Sequence, residues 1–182
     1  MGDLFGDWVP DEWIQAVFKA CEAAPWHRYL FLTKNVKRLY RLADFNRLPP
    51  QHWYGGSVEN DRHVTCIAQG RGAFSSYMDN KKAFKTFLSI EPLQDWYATN
   101  RDDFNLREGL FVSWLSRIDL VIVGQETGNR KAKITPKPEW ITNVVNACRD
   151  AGVPVFLKNN LAPVMGEEYV KSHQSLPWRE LA

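Results

Sequence analysis

Two apolar rhythms alternate along the chain. Short runs rich in apolar, β-branched and aromatic residues occur at residues 29–33, 53–58, 86–90, 120–123 and 153–157, the second of them weakened by Gly55-Gly56. Runs of that length, apolar on both alternating faces, are the pattern of strands buried in a parallel sheet. Between them the period lengthens to that of a helix. Trp13, Ile14, Val17, Phe18 and Cys21 share one helical face, as do Val36, Leu39, Tyr40 and Ala43, and again Trp140, Ile141, Val144, Val145 and Cys148. A weaker helical pattern carries Val64, Ile67 and Ala68, and another stretch lies near residues 106–115.

The punctuation agrees with the rhythm. Pro10 and two acids open the first helix, Asn35 can cap the second, and Pro49-Pro50 ends that unit. Gly152 stands where the last long helix should stop. Residues 1–9 read as a loop, and residues 161–182 as a mixed tail that packs back onto the body.

One unit is written twice. Glu12-Trp13-Ile14, Val17 and Ala20-Cys21 match Glu139-Trp140-Ile141, Val144 and Ala147-Cys148 at identical offsets. Each helix then runs through a proline to a strand ending Phe-Leu with a Lys-Asn exit, at Lys34-Asn35 and at Lys158-Asn159. Repeated helix-to-strand units with about thirty residues between strand exits describe a parallel α/β protein built from right-handed crossovers. Polar exits follow every strand rather than gathering at one switch point. This favours a barrel over an open doubly wound sheet, and about five parallel strands make it a partial (β/α) barrel in a single domain over residues 1–182.

Composition changes this picture little. The chain has 182 residues, 45% of them hydrophobic, which suffices for one core. A net charge of +2 permits an anionic partner without arguing for one. Basic residues at Lys34, Lys37, Arg38, Arg41, Arg130, Lys131 and Lys133 support nucleic-acid contact only weakly; a solvated helix face and loop explain them better. No apolar run approaches the length of a membrane span, and a cytoplasmic protein with reduced thiols fits best. His27, His52, His63 and His173 lack metal-ligand spacing, so no metal site is expected. Cys21, Cys66 and Cys148 read as core thiols.

The chemistry sits at the strand exits, which a parallel barrel brings to one face. Three exits carry a carboxylate, Glu59, Glu91 and Glu126, and two carry Lys34-Asn35 and Lys158-Asn159. Thr33, Ser57, Ser89 and Thr127 stand beside them. Carboxylates there can accept hydrogen bonds from ribose hydroxyls or a ligand amine. Lysines can neutralise a carboxylate or phosphate. Gly124 and Gly128 would let backbone N–H groups reach a ligand, so the expected partner is a small-molecule or nucleotide-like ligand.

Six segments, residues 1–6, 10–14, 30–35, 53–58, 87–93 and 123–130, together resemble the phage-encoded radical-SAM-like family, which is largely uncharacterised. The last of them reads Val-Gly-Gln-Glu-Thr-Gly-Asn-Arg. The resemblance implies a partial barrel of the radical S-adenosylmethionine type. It implies S-adenosylmethionine against Ser57, Glu59, Ser89, Glu91 and the loop Gly124, Glu126, Thr127, Gly128. It places Thr33, Lys34, Asn35 and Lys158 toward the substrate or the ligand carboxylate. The family's four-iron four-sulfur cluster needs three clustered cysteines, and the three cysteines of this sequence are far apart. The family also carries the Met-Gly-Asp-Leu-Phe-Gly segment internally, so this chain reads as one truncated at its N-terminus. Its exposed sheet edge would then favour self-association.

The expected function is therefore ligand binding without radical chemistry by these residues alone. A non-catalytic module for a nucleotide-like ligand or a partner is the alternative, and a carboxylate–metal hydrolase using Glu59, Glu91 and Glu126 is a third.

Overall fold

The computed structural model of the chain describes residues 2–45, 47–60, 85–96, 115–127 and 133–178. The weaker helical patterns expected at 64–68 and 106–115 lie almost wholly outside these residues, as do His63, Cys66, Gly128, Arg130 and Lys131.

Five strands form one sheet: β1 (Leu30–Thr33), β2 (Trp53–Asn60), β3 (Lys85–Asp95), β4 (Leu120–Val123) and β5 (Val155–Leu157). Their order in the sheet is their order in the chain, and every neighbouring pair is parallel. Among the described residues, three long helices flank them: α1 (Asp11–Glu22), α2 (Val36–Asp44) and α3 (Pro138–Asp150). Ile14 and Phe18 of α1 and Leu39 and Leu42 of α2 share a buried cluster with Tyr54 of β2. Trp140, Ile141 and Val144 of α3 share another with Val58 of β2, Ile90 of β3 and Val123 of β4. Tyr54 and Val58 lie on the same face of β2, because strand side chains alternate. All three helices therefore cover one face of the sheet, as right-handed crossovers without a reversal of strand order require.

The other face has its own register. Leu32, Gly55, Phe87 and Leu120 are cross-strand partners in one row, and Ser57, Ser89, Ile122 and Phe156 in the next. Gly55 is a matter of space: a Cβ there would stand 2.6 Å from the ring of Phe87. Trp53, Phe87 and Leu120 form a third cluster on this face, packed by Leu176 and Trp178. The Trp178 ring meets that of Trp53 at 4.9 Å, and the Arg28 guanidinium lies 4.9 Å from its centre.

The two edges of the sheet differ. β5 is covered by the tail, since Ser175 donates from its backbone N–H to Val155 O at 3.1 Å and Leu157 donates to His173 O at 2.9 Å. On β1, no strand lies beyond the edge among the described residues, and Leu30 and Leu32 are partly exposed.

Several expectations are corrected in detail. β3 does not end at Ile90 but continues through Glu91-Pro92 to Asp95, and β2 runs on to Asn60. Proline lacks the ladder donor and so reads as a strand terminator. The register shift between Val58 and Asn60 accommodates the longer β3. β5 begins at Val155, not at residue 153. The tail contains two short helices, α4 (Ala162–Met165) and α5 (Glu167–Ser172). Trp13 faces solvent at 64% exposure although it lies within the apolar period of α1. Arg38 is buried rather than solvated. Its guanidinium donates to the carbonyls of Gly6 and Val9 and, at 2.7 Å, to Asp11. That hydrogen bond holds the Asp11 carboxyl below its usual range, with the nearby Arg47 charge adding to it.

Candidate functional site

A polar rim crowns the carboxyl ends of the five strands. It begins at β1, where Thr33 ends the strand and Asn35 caps α2 by accepting a hydrogen bond from Arg38 N–H at 3.4 Å. Both polar side chains are also engaged by the loop before α1. The Thr33 hydroxyl donates to Asp3 at 2.8 Å, and the Asn35 amide donates to Phe5 O at 3.0 Å and to Asp7 at 2.9 Å. Of the three residues expected there to face a substrate, the structure directs Lys34 toward the rim. Its ammonium lies 3.0 Å from Glu59 at the end of β2.

Glu59 is held from its other oxygen by Gln94, whose amide donates at 3.2 Å. Gln94 was not legible as a rim residue, because it depends on β3 continuing past Pro92. Further round, Glu91 of β3 pairs with Lys158, just beyond β5. These strands are not neighbours; β4 lies between them. The ion pair therefore crosses above the chain at Gly124.

This crossing explains the glycine. A Cβ on residue 124 would stand 2.9 Å from Lys158 Cδ and 3.0 Å from Glu91 Oε1. Gly124 has no positive φ, so what it provides here is space. Its backbone does not reach out to a ligand, which corrects the sequence expectation. Gly124 N–H donates to Ile90 O at 3.0 Å, and its carbonyl accepts from Leu93 N–H at 3.0 Å. Both groups belong to the ladder with β3, and a ladder bond leaves no donor for a ligand.

Below the ion pairs, Ser57 and Ser89 are cross-strand partners on the same face of the sheet. Ser89 is buried, and Ser57 and Ser89 precede Glu59 and Glu91 by two residues on their strands. Small residues at Gly55, Ser57 and Ser89 thus line the middle of this face, while Ile122 and Phe156 make it apolar toward β5. Glu126 is half-buried and Thr127 exposed. They follow β4 past its end, and no hydrogen bond joins Thr127 to the rim among the described residues. Gln125 is tied instead to the segment after β5, where the Asn160 amide donates to Gln125 O at 3.1 Å.

Around the rim a lysine at each end, Lys34 and Lys158, flanks the carboxylates of Glu59 and Glu91, which pair with them. Each pair is partly exposed, so each contributes little to stability on its own. Such pairs are easily exchanged for the charges of a ligand. Two of the three thiols lie away from this rim. Cys148 is fully buried on α3, and burial pushes it up to about 12. Cys21 is buried on α1 and likewise raised by burial. Among the described residues, no group of three His, Cys, Asp or Glu side chains is arranged to hold a metal ion. No helix among them is long and apolar enough to cross a membrane.

A parallel α/β sheet in sequential order, helices on one face and a charged rim at the strand carboxyl ends: these features define a class of α/β proteins that carry their sites at the strand ends. Within that class the chain belongs to a family described as a protein of unknown function (DUF5131), whose profile matches residues 1–174. No curated protein and no solved structure matches it.

Proposed function

We propose that this chain is a ligand-binding α/β domain of a radical-SAM-like protein of the phage and prophage type, a partial (β/α) barrel that takes S-adenosylmethionine at the carboxyl ends of its strands. The observation that carries the reading is the Glu91–Lys158 pair crossing bare Gly124, beside the Lys34–Glu59 pair. A zwitterionic ligand with a ribose matches this surface group by group. Its carboxylate would replace a glutamate at one of the lysines, its ammonium would replace a lysine at one of the glutamates, and its ribose hydroxyls would meet carboxylate and serine oxygens. The sequential strand order and the small residues facing away from the helices support the barrel.

Among the described residues, the cysteines do not fit an iron–sulfur cluster. Cys21 and Cys148 stand on separate helices, both buried, and a cluster ligand must be a thiolate facing the iron. We therefore derive no radical step from this chain. The same placement favours a second reading, a non-catalytic module for a nucleotide-like ligand.

Thermal shift and calorimetry separate the two. Saturation at a hundred times the dissociation constant stabilises a protein by about 2.7 kcal/mol, a rise of roughly 5–10 °C for a chain of this size. S-adenosylmethionine should produce that rise and ATP should not. A response to ATP alone supports the nucleotide module, and no response to either removes ligand binding at the rim.

A further inference from the structure

At the amino end of β5, opposite the rim, a cleft of about 500 Å³ opens between the last two turns of α3 and the tail. Its floor is apolar, made by the buried side chains of Val145, Val153 and Val155. Its walls are polar and of one kind. Asn146 and Arg149 come from α3; His173 and Ser175 come from the tail; no carboxylate is among the lining residues.

These groups have capacity left. His173 Nδ1 lies 2.8 Å from the Tyr169 carbonyl. A carbonyl only accepts, so Nδ1 carries the proton, Nε2 is left as an acceptor, and the ring serves the ligand's apolar body rather than its anion. The His173 ring rests on that of Tyr169, with centres 4.3 Å apart, and this contact fixes its plane. Arg149 touches Asp150 from Nε and one terminal nitrogen at 3.3 Å, in an exposed pair that binds weakly. Its other donors remain. Neither the Asn146 amide nor the Ser175 hydroxyl has a hydrogen-bond partner among the described residues. A volume of this size is within the range of small-molecule pockets.

We infer that this cleft binds a small organic anion, a carboxylate or phosphate monoester carrying a compact apolar body. The anion lies against Arg149, Asn146 and Ser175, and the apolar body lies on the valine floor beside the Tyr169–His173 stack. The site is separate from the strand-end rim and does not depend on its reading.

Methyl and backbone NMR on the full chain tests it, with phenyl phosphate, benzoate and inorganic phosphate as probes. Phenyl phosphate or benzoate should shift the methyl signals of Val145, Val153 and Val155, with S-adenosylmethionine present or absent. Response to one of the two names the anion. Arg149→Gln, an exposed substitution that leaves the fold intact, should weaken that binding about tenfold. Ser175→Ala should weaken it less. Inorganic phosphate binding as tightly as phenyl phosphate would overturn the apolar part. Shifts confined to the rim, or none with any probe, would overturn the site.

Discussion

The α1–β1 and α3–β5 units have nearly the same sequence signature and different surroundings. Trp13 and Trp140 occupy matching positions, yet Trp13 is 64% exposed and Trp140 is 6% exposed. α3 connects β4 to β5 in the chain, and its cluster is completed by Leu161 and Val170 of the tail. α1 precedes β1 at the edge, where its cluster is completed by Phe5 and by Leu39 and Leu42 of α2. The same helix thus buries a wider stripe where it has neighbours on both flanks. The cores also differ in kind. The α3–β5 core is largely aliphatic, whereas Phe18, Phe31 and Tyr54 pack edge-on or stacked in the α1–β1 core. At the strand exits, by contrast, the two units agree: each contributes one lysine paired with a glutamate. Packing differs between the two units while the rim chemistry is parallel.

The largest test of this contrast is a pair of truncations. Trp140→Ala should cost about 3–5 kcal/mol in denaturant unfolding, the range for deleting a buried aromatic. Trp13→Ala should stay within about 0.5 kcal/mol, as at an exposed position. Equal losses would show that the two helices are buried alike.

Next in size is Arg38, which has no counterpart in the α3–β5 unit. It ties the loop before α1 to α2 through two carbonyls and Asp11. Arg38→Ala should lower stability by about 2–3 kcal/mol and speed proteolysis within residues 2–9. Unchanged cleavage would show that the contacts of Asp3 with Thr33 and of Asn35 with Phe5 and Asp7 hold the loop without Arg38.

The aromatic unit also contains the buried histidine. His52 sits 5.3 Å from the Tyr29 ring and 5.5 Å from Phe31, and burial lowers its pKa from 6.5. The unfolded chain therefore binds the proton more readily, so stability present above pH 6.5 falls as pH drops through and below that value. Melting temperature should decline between pH 8 and pH 5, and the decline should be shallower in His52→Gln. An identical slope in the variant would place the effect elsewhere.

The thiols extend the comparison at smaller scale. Cys148, fully buried and pushed up to about 12, should resist alkylation of the native protein. Cys21, buried less completely, should react first. The reverse order in mass-spectrometric footprinting would contradict the burial of α3.

The strand positions were legible because each apolar run is followed at once by polar residues, and the repeat of α1–β1 in α3–β5 gave the α/β order. The rim was legible through the polar residues at the strand exits, Ser57 and Glu59, Ser89 and Glu91, and through Lys34 and Lys158 at matching exits. Burial was not. Helical periodicity places Trp13 and Trp140 on equal terms, since the width of a buried stripe is set by neighbours far away in sequence. Arg38 read as a solvated cation because its carbonyl partners lie in a loop 29 to 32 residues earlier. Gln94 was hidden by Pro92, and the role of Gly124 by an ion pair whose members are 67 residues apart.

Gly124 lies directly beneath the Glu91–Lys158 pair. Gly124→Ala should alter stability little, because Lys158 is flexible enough to move, but the added methyl should displace the Glu91–Lys158 pair. Isothermal titration of S-adenosylmethionine into the wild-type chain and this variant is the most direct measurement. Saturable heat is expected with the wild type, and at least tenfold weaker binding with Gly124→Ala. No heat with the wild type, or equal affinity in both, would contradict binding at the rim.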